Sequence, residues 1–468
     1  MTAEAPRAGK HRVVVVGGGI TGLLTAVGLA DAGAEVTVIE RAETVGGQIR
    51  STEIGGATVD VGAESLHTAT PGIPELLDGL GLEAAITEAE RGPTLLVKGR
   101  HLRQLPTGMG PTGPSRLWPV ATSRILNPLG LLRAACEPLV PRSHHGEDLA
   151  VGTYLAARFG AQLTDRLIDP LLGNLHAGDV HRLGLAATVP PLDRAARTHR
   201  SLVLGRRRNR PGPPPRFATI AGGLARITDT LAADPRIHVR RSSEVTSLQP
   251  AVDGGYRVLG GTGLLAHADA VVLAVPSAVA ARLIDPLDAL AGRTLDAIEN
   301  ATVATVVAGY RHADVANHTA FRANGLLIPS TAGRLLKAAT FLSRKWPHLA
   351  SEDAFLVRMS AGRAGEHQLD DLTDDELVAR LHHDLAQLTG LRAAPHLAVV
   401  QRWPTTMPQL RVDHLDRIAA VRERLDGRHR IVLAGAAYDG VGIGNGLRSA
   451  RAAVARLATD HDTEERVA

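Results

Sequence analysis

The sequence predicts an α/β protein whose first unit is a nucleotide-binding strand–turn–helix. Residues 13–16 are four consecutive valines, and glycines follow at Gly17, Gly19 and Gly22 in the spacing GxGxxG. An apolar stretch then leads to a second β-branched segment that ends at Glu40. Valines without polar alternation are typical of a parallel strand that is covered on both faces. A chain of 468 residues, 44% of them hydrophobic, is long enough for about two or three domains.

Each part of this unit has a physical role in binding a pyrophosphate. The first glycine permits a tight turn, the second lets the backbone approach the phosphates, and the third lets the helix pack on the strand. The start of the helix adds unpaired N–H groups and the positive end of its dipole. Glu40 comes 18 residues after Gly22, close to the roughly 20 expected for the acid that accepts ribose hydroxyls. Such an acid favours FAD or NAD over NADP, and the alternative is a purely structural glycine turn.

A second glycine-rich loop follows Glu40. It contains Gly46, Gly47 and Arg50, and a strand-like segment then leads to residues 62–65. A doubled glycine and an arginine soon after the ribose acid are typical of a flavin-binding loop. The alternative is a glycine-rich hairpin with an exposed arginine. Strand-like segments similar to those of the opening unit recur after residue 217 without a second GxGxxG, so we expect one tightly bound nucleotide and no separate nicotinamide domain.

Composition excludes several classes of site and partner. Cys136 is the only cysteine, which excludes intrachain disulfides, iron–sulfur clusters and cysteine-rich zinc sites, so we expect no metal. The net charge of +4 is mild, and no nucleic-acid motif accompanies it. The uncharged run of 18 residues at 13–30 is at the lower limit for a membrane span, but its glycines favour the strand–turn–helix. We therefore expect a cytoplasmic protein without a transmembrane segment, with peripheral membrane contact as an open alternative.

The middle of the chain predicts a helical region followed by a second sheet. Helical patterns dominate residues 111–192, and the basic, proline-rich segment 206–216 predicts an exposed loop or linker, or a contact with an anionic membrane. An amphipathic helix is expected over residues 373–388, and residues 396–403 predict a strand that ends in a turn. The further strands are expected at 301–310, 325–329, 336–342 and 354–360.

The end of the chain repeats the strand–glycine turn–helix pattern. Residues 430–434 predict a buried strand, and the glycines of GAAYDGVGI precede a helix over residues 444–457. The N-terminus of such a helix, aimed at the cofactor, could stabilise negative charge on a reduced flavin. The alternative is an ordinary closing unit of the sheet.

Taken together, these segments resemble the FAD-dependent protoporphyrinogen/coproporphyrinogen III oxidase family, within the monoamine-oxidase-like flavoproteins. The resemblance is closest to the bacterial coproporphyrinogen III oxidases and runs nearly end to end. The motifs that carry it are VVVVGGGITGL, VGGQIRS, DVGAES, RLIDPLLGNLHAGD, FATIAGGL, DAVVLAVP, KAATFLSRKWPH, QRWPTTMPQL and LAGAAYDGVGIGNGL.

The resemblance implies a Rossmann-type FAD-binding domain with a sheet-based substrate domain and a helical lobe. The FAD-binding domain would comprise residues 1–85, 211–285 and 401–468, the helical lobe and part of the substrate domain residues 86–210, and the rest of the substrate domain residues 286–400. The implied FAD contacts are Gly17, Gly18, Gly19, Ile20, Thr21, Gly22, Glu40, Arg41, Gly47, Gln48, Gly62, Ala63, Glu64, Ser65, Val245, Trp403, Ala436, Val441, Gly442 and Ile443.

The implied reaction is the six-electron oxidation of coproporphyrinogen III, or of protoporphyrinogen IX, with dioxygen reduced to hydrogen peroxide in haem biosynthesis. The flavin performs the redox chemistry, so no catalytic acid or base is assigned. A substrate with four carboxylates needs cationic partners. The candidate substrate contacts are Arg50, His176, Arg344 and Leu410, with Lys345 as a further cation.

The sequence departs from the family pattern at Thr70, His176, Leu410 and 445–446, which leaves two other functions open. The first is an amine or small-molecule oxidase of secondary metabolism. The second is a flavin- or haem-pathway binding protein without turnover.

Overall fold

The computed structural model describes residues 11–141, 146–208, 217–252, 254–426 and 428–465. Within these ranges the chain forms one parallel sheet, one larger mixed sheet and four small antiparallel sheets. The strands are β1 (Arg12–Val16), β2 (Glu35–Ile39), β3 (Ser51–Ile54), β4 (Ala57–Asp60), β5 (Leu66–His67), β6 (Ile86–Glu88), β7 (Thr94–Lys98), β8 (His101–Gln104), β9 (Met109–Gly110), β10 (Gly113–Pro114), β11 (Phe217–Ile220), β12 (Ile237–Arg240), β13 (Val245–Pro250), β14 (Tyr256–Gly260), β15 (Gly263–Ala268), β16 (Ala270–Leu273), β17 (Asn300–Tyr310), β18 (Gly325–Leu327), β19 (Leu336–Phe341), β20 (Phe355–Ala361), β21 (Leu397–Pro408) and β22 (Ile431–Leu433).

Helices connect and cover these sheets. The α-helices are α1 (Ile20–Asp31), α2 (Ile73–Gly79), α3 (Trp118–Thr122), α4 (Pro128–Ala135), α5 (Val151–Phe159), α6 (Ala161–Leu163), α7 (Asn174–His176), α8 (Leu185–Thr188), α9 (Pro190–Thr198), α10 (Leu202–Arg208), α11 (Ala225–Ala232), α12 (Ser277–Ile284), α13 (Ala289–Asp296), α14 (His312–Val315), α15 (Leu342–Lys345), α16 (Asp374–Thr389), α17 (His414–Asp426), α18 (Ala436–Asp439) and α19 (Ile443–Glu465). A π-helical stretch, Thr164–Gly173, joins α6 to α7. In these ranges no helix is both long and apolar enough to cross a membrane.

The parallel sheet has the order β12-β2-β1-β16-β22, and all neighbouring pairs are parallel. Val13 and Val15 of β1 face an apolar cluster that includes residues of α1, α11 and α19. Val14 and Val16 face a second cluster, which contains residues of α12, α13 and α17. Alternate valines are therefore buried on opposite faces, which confirms the predicted doubly covered strand.

The mixed sheet has the order β21-β17-β20-β19-β18-β7-β8 and is antiparallel except for the pair β18–β7. One face packs its apolar side chains against α16. This helix begins with a capping box, in which Thr373 and Glu376 each accept a hydrogen bond from the other's backbone N–H. The predicted second sheet and the predicted helix are both confirmed.

The predicted turn after Trp403 is wrong, because β21 continues to Pro408. The pairing of β21 with β17 shifts between Ala301 and Val303, and Thr405 has a φ of 47°. A bulge at this point absorbs the extra residues, so that the strand resumes its pairing beyond it.

Helices α3 to α6, α8 to α10 and the π-helical stretch contribute to a separate apolar core. The buried carboxylate of Glu137 pairs with Arg158 and accepts hydrogen bonds from the Ser201 hydroxyl and the Leu202 N–H, which ties α10 to this group of helices. Of the basic segment predicted at 206–216, residues 209–216 lie outside the described residues. The division of the chain into five domain segments stays a prediction.

Candidate nucleotide-binding and active site

The turn between β1 and α1 requires glycine for two different reasons. Gly17 has a φ of 105°, and a Cβ there would lie 2.5 Å from the Ala274 carbonyl oxygen. A Cβ at Gly22 would lie 2.0 Å from the Gly17 oxygen, whereas no atom lies within 4 Å of a Cβ placed on Gly19. The fold itself therefore requires the first and third glycines, while the second borders open space. Since no side chain in the described structure caps α1, its first N–H groups are available to an anion.

Glu40 lies at the rim of this turn. One carboxylate oxygen accepts a hydrogen bond from the Gly18 N–H at 2.7 Å, and the other from the Ala42 N–H at 2.8 Å. Arg41 is exposed beside it. Val245, at the start of β13, is buried in the same apolar cluster as the end of β2. The predicted ribose acid is thus fixed next to the glycine turn.

The second glycine loop lies against the first. The Gly46 N–H donates to the Gly18 oxygen at 2.8 Å, and Gly46 forms a parallel bridge with Gly19. Gly46 and Gly47 have φ values of 105° and 59°, and a Cβ on Gly47 would lie 3.2 Å from the Gly19 Cα. These contacts explain the doubled glycine, because a side chain at either position would strain the backbone or clash with backbone atoms.

Distant segments meet beyond this loop. The Gln48 amide donates to the Thr406 oxygen at 2.7 Å, and the Ala63 N–H donates to the Gln48 oxygen at 2.9 Å. A Cβ on Gly62 would lie 2.0 Å from the Gln48 oxygen and 3.2 Å from the Trp403 ring. The structure therefore brings together the predicted cofactor residues of the loop, of the segment 62–65 and of β21.

The C-terminal glycine turn places a second helix start at the same site. Gly435 and Gly442 have φ values of 129° and 109°, and no atom lies within 4 Å of a Cβ placed on either. Between them, Ala436 begins α18 and Val441 is half-buried, and Ile443 begins α19. This second turn, like the first, borders open space.

The two helix starts are in contact. A Cβ on Gly446 of α19 would lie 2.9 Å from the Thr21 hydroxyl and 3.6 Å from the Ile20 side chain of α1. A Cβ on Gly444 would lie 2.6 Å from the Thr70 methyl group. The positive ends of both helix dipoles therefore lie beside one another, which favours a bound anion.

Glu64 is the electrostatic centre of the site. Its carboxylate accepts hydrogen bonds from Lys345 Nζ at 2.6 Å, from the Trp346 ring N–H at 3.2 Å and from Arg358 at 2.8 Å. Burial alone would raise the pKa of Glu64, but the charges and hydrogen bonds of Lys345 and Arg358 outweigh it and lower that pKa to about 2. Glu64 is therefore ionised and fully paired, and Ser65 is half-buried beside it.

Small side chains lie on the part of the sheet face beside Arg358 that the pairing of β19 with β20 forms. Ala338 pairs with Ser360, and Ser360 with Thr305, across β19, β20 and β17. Paired residues share a face, and their neighbours in sequence, such as Met359, fill the core against α16. Ala338 and Ser360 thus form a floor of small residues next to Arg358 and Glu64.

The two predicted substrate arginines belong to different elements. The Arg50 guanidinium donates to the Thr44 hydroxyl at 2.9 Å, in the second glycine loop. Arg344 is half-exposed on α15, where its neighbour Lys345 reaches Glu64. Lys345 is therefore committed to the protein's own carboxylate.

His176 and Leu410 are both buried, with 5% and 1% of their surface exposed. Gln409 links the two segments, since its amide donates to the His176 oxygen at 3.0 Å. Burial lowers the pKa of His176 to about 4, and its Nδ1 has no hydrogen-bond partner among the described residues. The imidazole is therefore neutral at physiological pH.

Three further cations at this face are absent from the sequence-based set: Lys337, Arg358 and Arg363. Arg358 also donates to the Gly62 oxygen, and Arg363 and Lys337 are both buried. A signal did exist, because Lys337 and Arg358 stand inside otherwise apolar strand segments, LLKAATF and AFLVRMS. A charge in such a segment indicates a partner elsewhere in the fold.

Comparison with known proteins identifies the family. The flavin-containing amine oxidoreductase family matches residues 20–458. The chain belongs to this family. Named relatives match this chain over nearly its whole length. Coproporphyrinogen III oxidase of Bacillus subtilis is 28% identical, with 96% of this chain and 98% of the relative covered. The same enzyme of Mycobacterium leprae is 33% identical, with 94% and 98% covered.

A solved structure supports the fold assignment of this flavin-containing oxidoreductase. A candidate protoporphyrinogen oxidase from Exiguobacterium sp. 255-15 is 26% identical, with a TM-score of 0.86 and with 97% of this chain and 99% of that chain covered. The predicted α/β fold of a monoamine-oxidase-like flavoprotein, with a parallel Rossmann-type sheet and a second, mixed sheet, is thereby confirmed. In the described part of the chain, no group of three or more His, Cys, Asp and Glu side chains is placed to hold a metal ion.

Proposed function

We propose that the protein is an FAD-dependent oxidase that converts coproporphyrinogen III to coproporphyrin III and reduces dioxygen to hydrogen peroxide in haem biosynthesis. The observation that carries this proposal is the similarity, over nearly the whole chain, to bacterial coproporphyrinogen III oxidases. Protoporphyrinogen IX has the same macrocycle with fewer carboxylates and is the second substrate to test.

FAD fits the residues that the fold assembles. The open space at Gly19 and the uncapped start of α1 suit the pyrophosphate, and the fixed carboxylate of Glu40 suits a ribose. The remaining predicted contacts lie around the second glycine loop, the segment 62–65, Trp403 and the start of α19. When bound, the flavin supplies a hydride acceptor whose electrons pass to dioxygen.

The chain's own residues orient the substrate and balance its charge. Each two-electron step removes one hydride from a meso carbon together with one proton, and three such steps convert the porphyrinogen to the porphyrin. Of the six hydrogens lost, four come from the meso carbons and two from the pyrrole nitrogens. The small side chains of Ala338 and Ser360 suit a macrocycle packed against this face, and cations of the same sheet can face its carboxylates. The paired Glu64 holds Arg358 and Lys345 in fixed positions.

An amine substrate, the alternative from the sequence, fits these charges less well. An ammonium group at this face would approach Arg358 and Lys345, while Glu64 is already paired with both. The excess of positive charge favours an anionic substrate.

The test is turnover by FAD-loaded protein. Coproporphyrinogen III in air is expected to give porphyrin fluorescence and three molecules of hydrogen peroxide per porphyrin. The control is the same protein freed of FAD, which should be inactive and regain activity when FAD is added. Inertness of the FAD-loaded protein toward both porphyrinogens would overturn the proposal. Anaerobic bleaching by an amine would then favour an amine oxidase, and no turnover with any reductant would favour a binding protein.

A further inference from the structure

Lys337 is a buried cation that forms no ion pair with any of the described residues. It lies on β19 with 5% of its surface exposed, and its Nζ donates to the Gly362 carbonyl at 3.1 Å. No carboxylate in the described part of the chain forms an ion pair with it. Burial, followed by repulsion from Arg363 and Arg358, lowers the pKa of Lys337 to about 7. A buried charge of this kind is costly unless a ligand of opposite charge compensates for it.

The charges around Lys337 do not balance. Arg363 is buried, and its nearest acid, Glu366, lies 3.6 Å away with 34% of its side chain exposed. The carboxylate of Glu64 is shared by Arg358 and Lys345. The charge of Arg363 also acts on the buried Asp169. Four cations therefore meet three acids at this end of the sheet, and one of those acids, Glu366, is partly in solvent.

Asn174 links these cations to the helical part of the site. Its amide nitrogen donates to the backbone oxygen of Lys337 at 2.8 Å, and its amide oxygen accepts from Arg363 at 3.3 Å. Asn174 begins α7, the short helix that ends at the predicted substrate residue His176. The cluster is thus continuous with the candidate substrate site.

We propose that Lys337 and Arg363, held in place by Asn174, form a subsite that binds one carboxylate of the porphyrinogen. This inference rests on the proposed function and names the contact by which the site recognises an acidic side arm. A carboxylate at this position would complete the charge balance, and it would form charge-assisted hydrogen bonds to an ammonium and a guanidinium group.

Binding of the stable product to the FAD-loaded protein tests the subsite without turnover. Quenching of porphyrin fluorescence gives the Kd of coproporphyrin III and of its tetramethyl ester, which keeps the macrocycle and lacks the charges. Lys337→Met is expected to weaken binding of the acid about tenfold and to leave binding of the ester unchanged. Lys337→Arg keeps the charge and should bind the acid within about threefold of the wild type. Lys98→Met, a lysine of the same sheet that donates to the Arg124 oxygen, is the matched control and should change neither Kd.

Equal weakening of acid and ester by Lys337→Met, or no weakening of either, would overturn the subsite. If Lys337→Met does not retain FAD, the comparison is made with Lys337→Gln. In turnover, the subsite predicts a raised KM for coproporphyrinogen III with kcat nearly unchanged, whereas a structural role would lower both kcat and FAD retention. A wild-type protein that neither binds the porphyrin nor oxidises the porphyrinogen refutes the proposed function. An active wild type with unaffected Lys337 variants refutes the subsite alone.

Discussion

Replacing Glu64 by glutamine removes the carboxylate that Lys345, Trp346 and Arg358 share. The pKa of Glu64 is lowered from its usual 4.5 to about 2, which corresponds to about 3 kcal/mol at 1.36 kcal/mol per pKa unit. Because a depressed pKa stabilises the fold above the unfolded value, this contribution is complete at neutral pH and is lost as pH falls from about 4.5 to about 2. Glu64→Gln is therefore expected to lower the free energy of unfolding at pH 7.5 by about 3 kcal/mol.

Urea unfolding of the FAD-loaded protein, followed by flavin fluorescence and circular dichroism, measures this loss. The matched control is Glu366→Gln, which removes a partly exposed carboxylate and should cost less than about 1 kcal/mol. A double-mutant cycle with Lys345→Met isolates the pair and should give a coupling of at least about 1 kcal/mol. Additive effects of the two substitutions, or a Glu64→Gln cost no larger than the control, would refute the electrostatic account.

Three other predictions follow from single positions. Gly19→Val should lower FAD affinity at least about tenfold without changing the Tm of the FAD-free protein, because the valine side chain enters open space. Gly22→Ala should instead lower that Tm, because its methyl group would clash with the Gly17 oxygen. Burial raises the pKa of Asp60 to about 6, although Ser51, Leu224 and Thr219 donate hydrogen bonds to its carboxylate. The protonated carboxyl group therefore contributes fully to the free energy of unfolding below about pH 3.8, and this contribution is lost as pH rises through 6. Asp60→Asn should therefore be up to about 3 kcal/mol more stable than the wild type at pH 8 in urea unfolding, with a smaller difference at pH 5, and a less stable variant at pH 8 would contradict this. Since burial lowers the pKa of His176 to about 4, the pH profile of kcat between 6 and 8 should have the same shape for the wild type and His176→Gln. A pH-dependent change in kcat that is present in the wild type and absent from the variant would show that the histidine titrates in this range.

The glycine turns could be predicted from the sequence because their causes are local. A Cβ on Gly17 or Gly22 would clash with atoms of the same strand–turn–helix or of Ala274, next to the adjoining strand. The GxGxxG spacing can therefore be explained from neighbouring residues alone. The contacts of the active face have no such local cause, because a charge in an apolar strand, such as Arg358, indicates a partner without indicating which residue it is. Glu64 and Arg358 are 294 residues apart, and Gln48 and Thr406 are 358 apart. The spacing of residues along the chain does not identify these partners, because only the folding of distant segments onto one another brings them together.

Lys337 shows why a periodic pattern alone fails at this face. Strict alternation along LLKAATF would place Lys337 on the side of Ala339 and Phe341, which belong to the apolar core against α16. The pairing of β19 with β20 shifts between Leu336 and Ala338, so the alternation breaks where the lysine stands. Its ammonium group bonds to the carbonyl at the end of β20, close enough to Arg358 and Arg363 for their charges to act on it. The bulge thus accounts both for the failure of the sequence pattern and for a buried cation that an acidic ligand can satisfy.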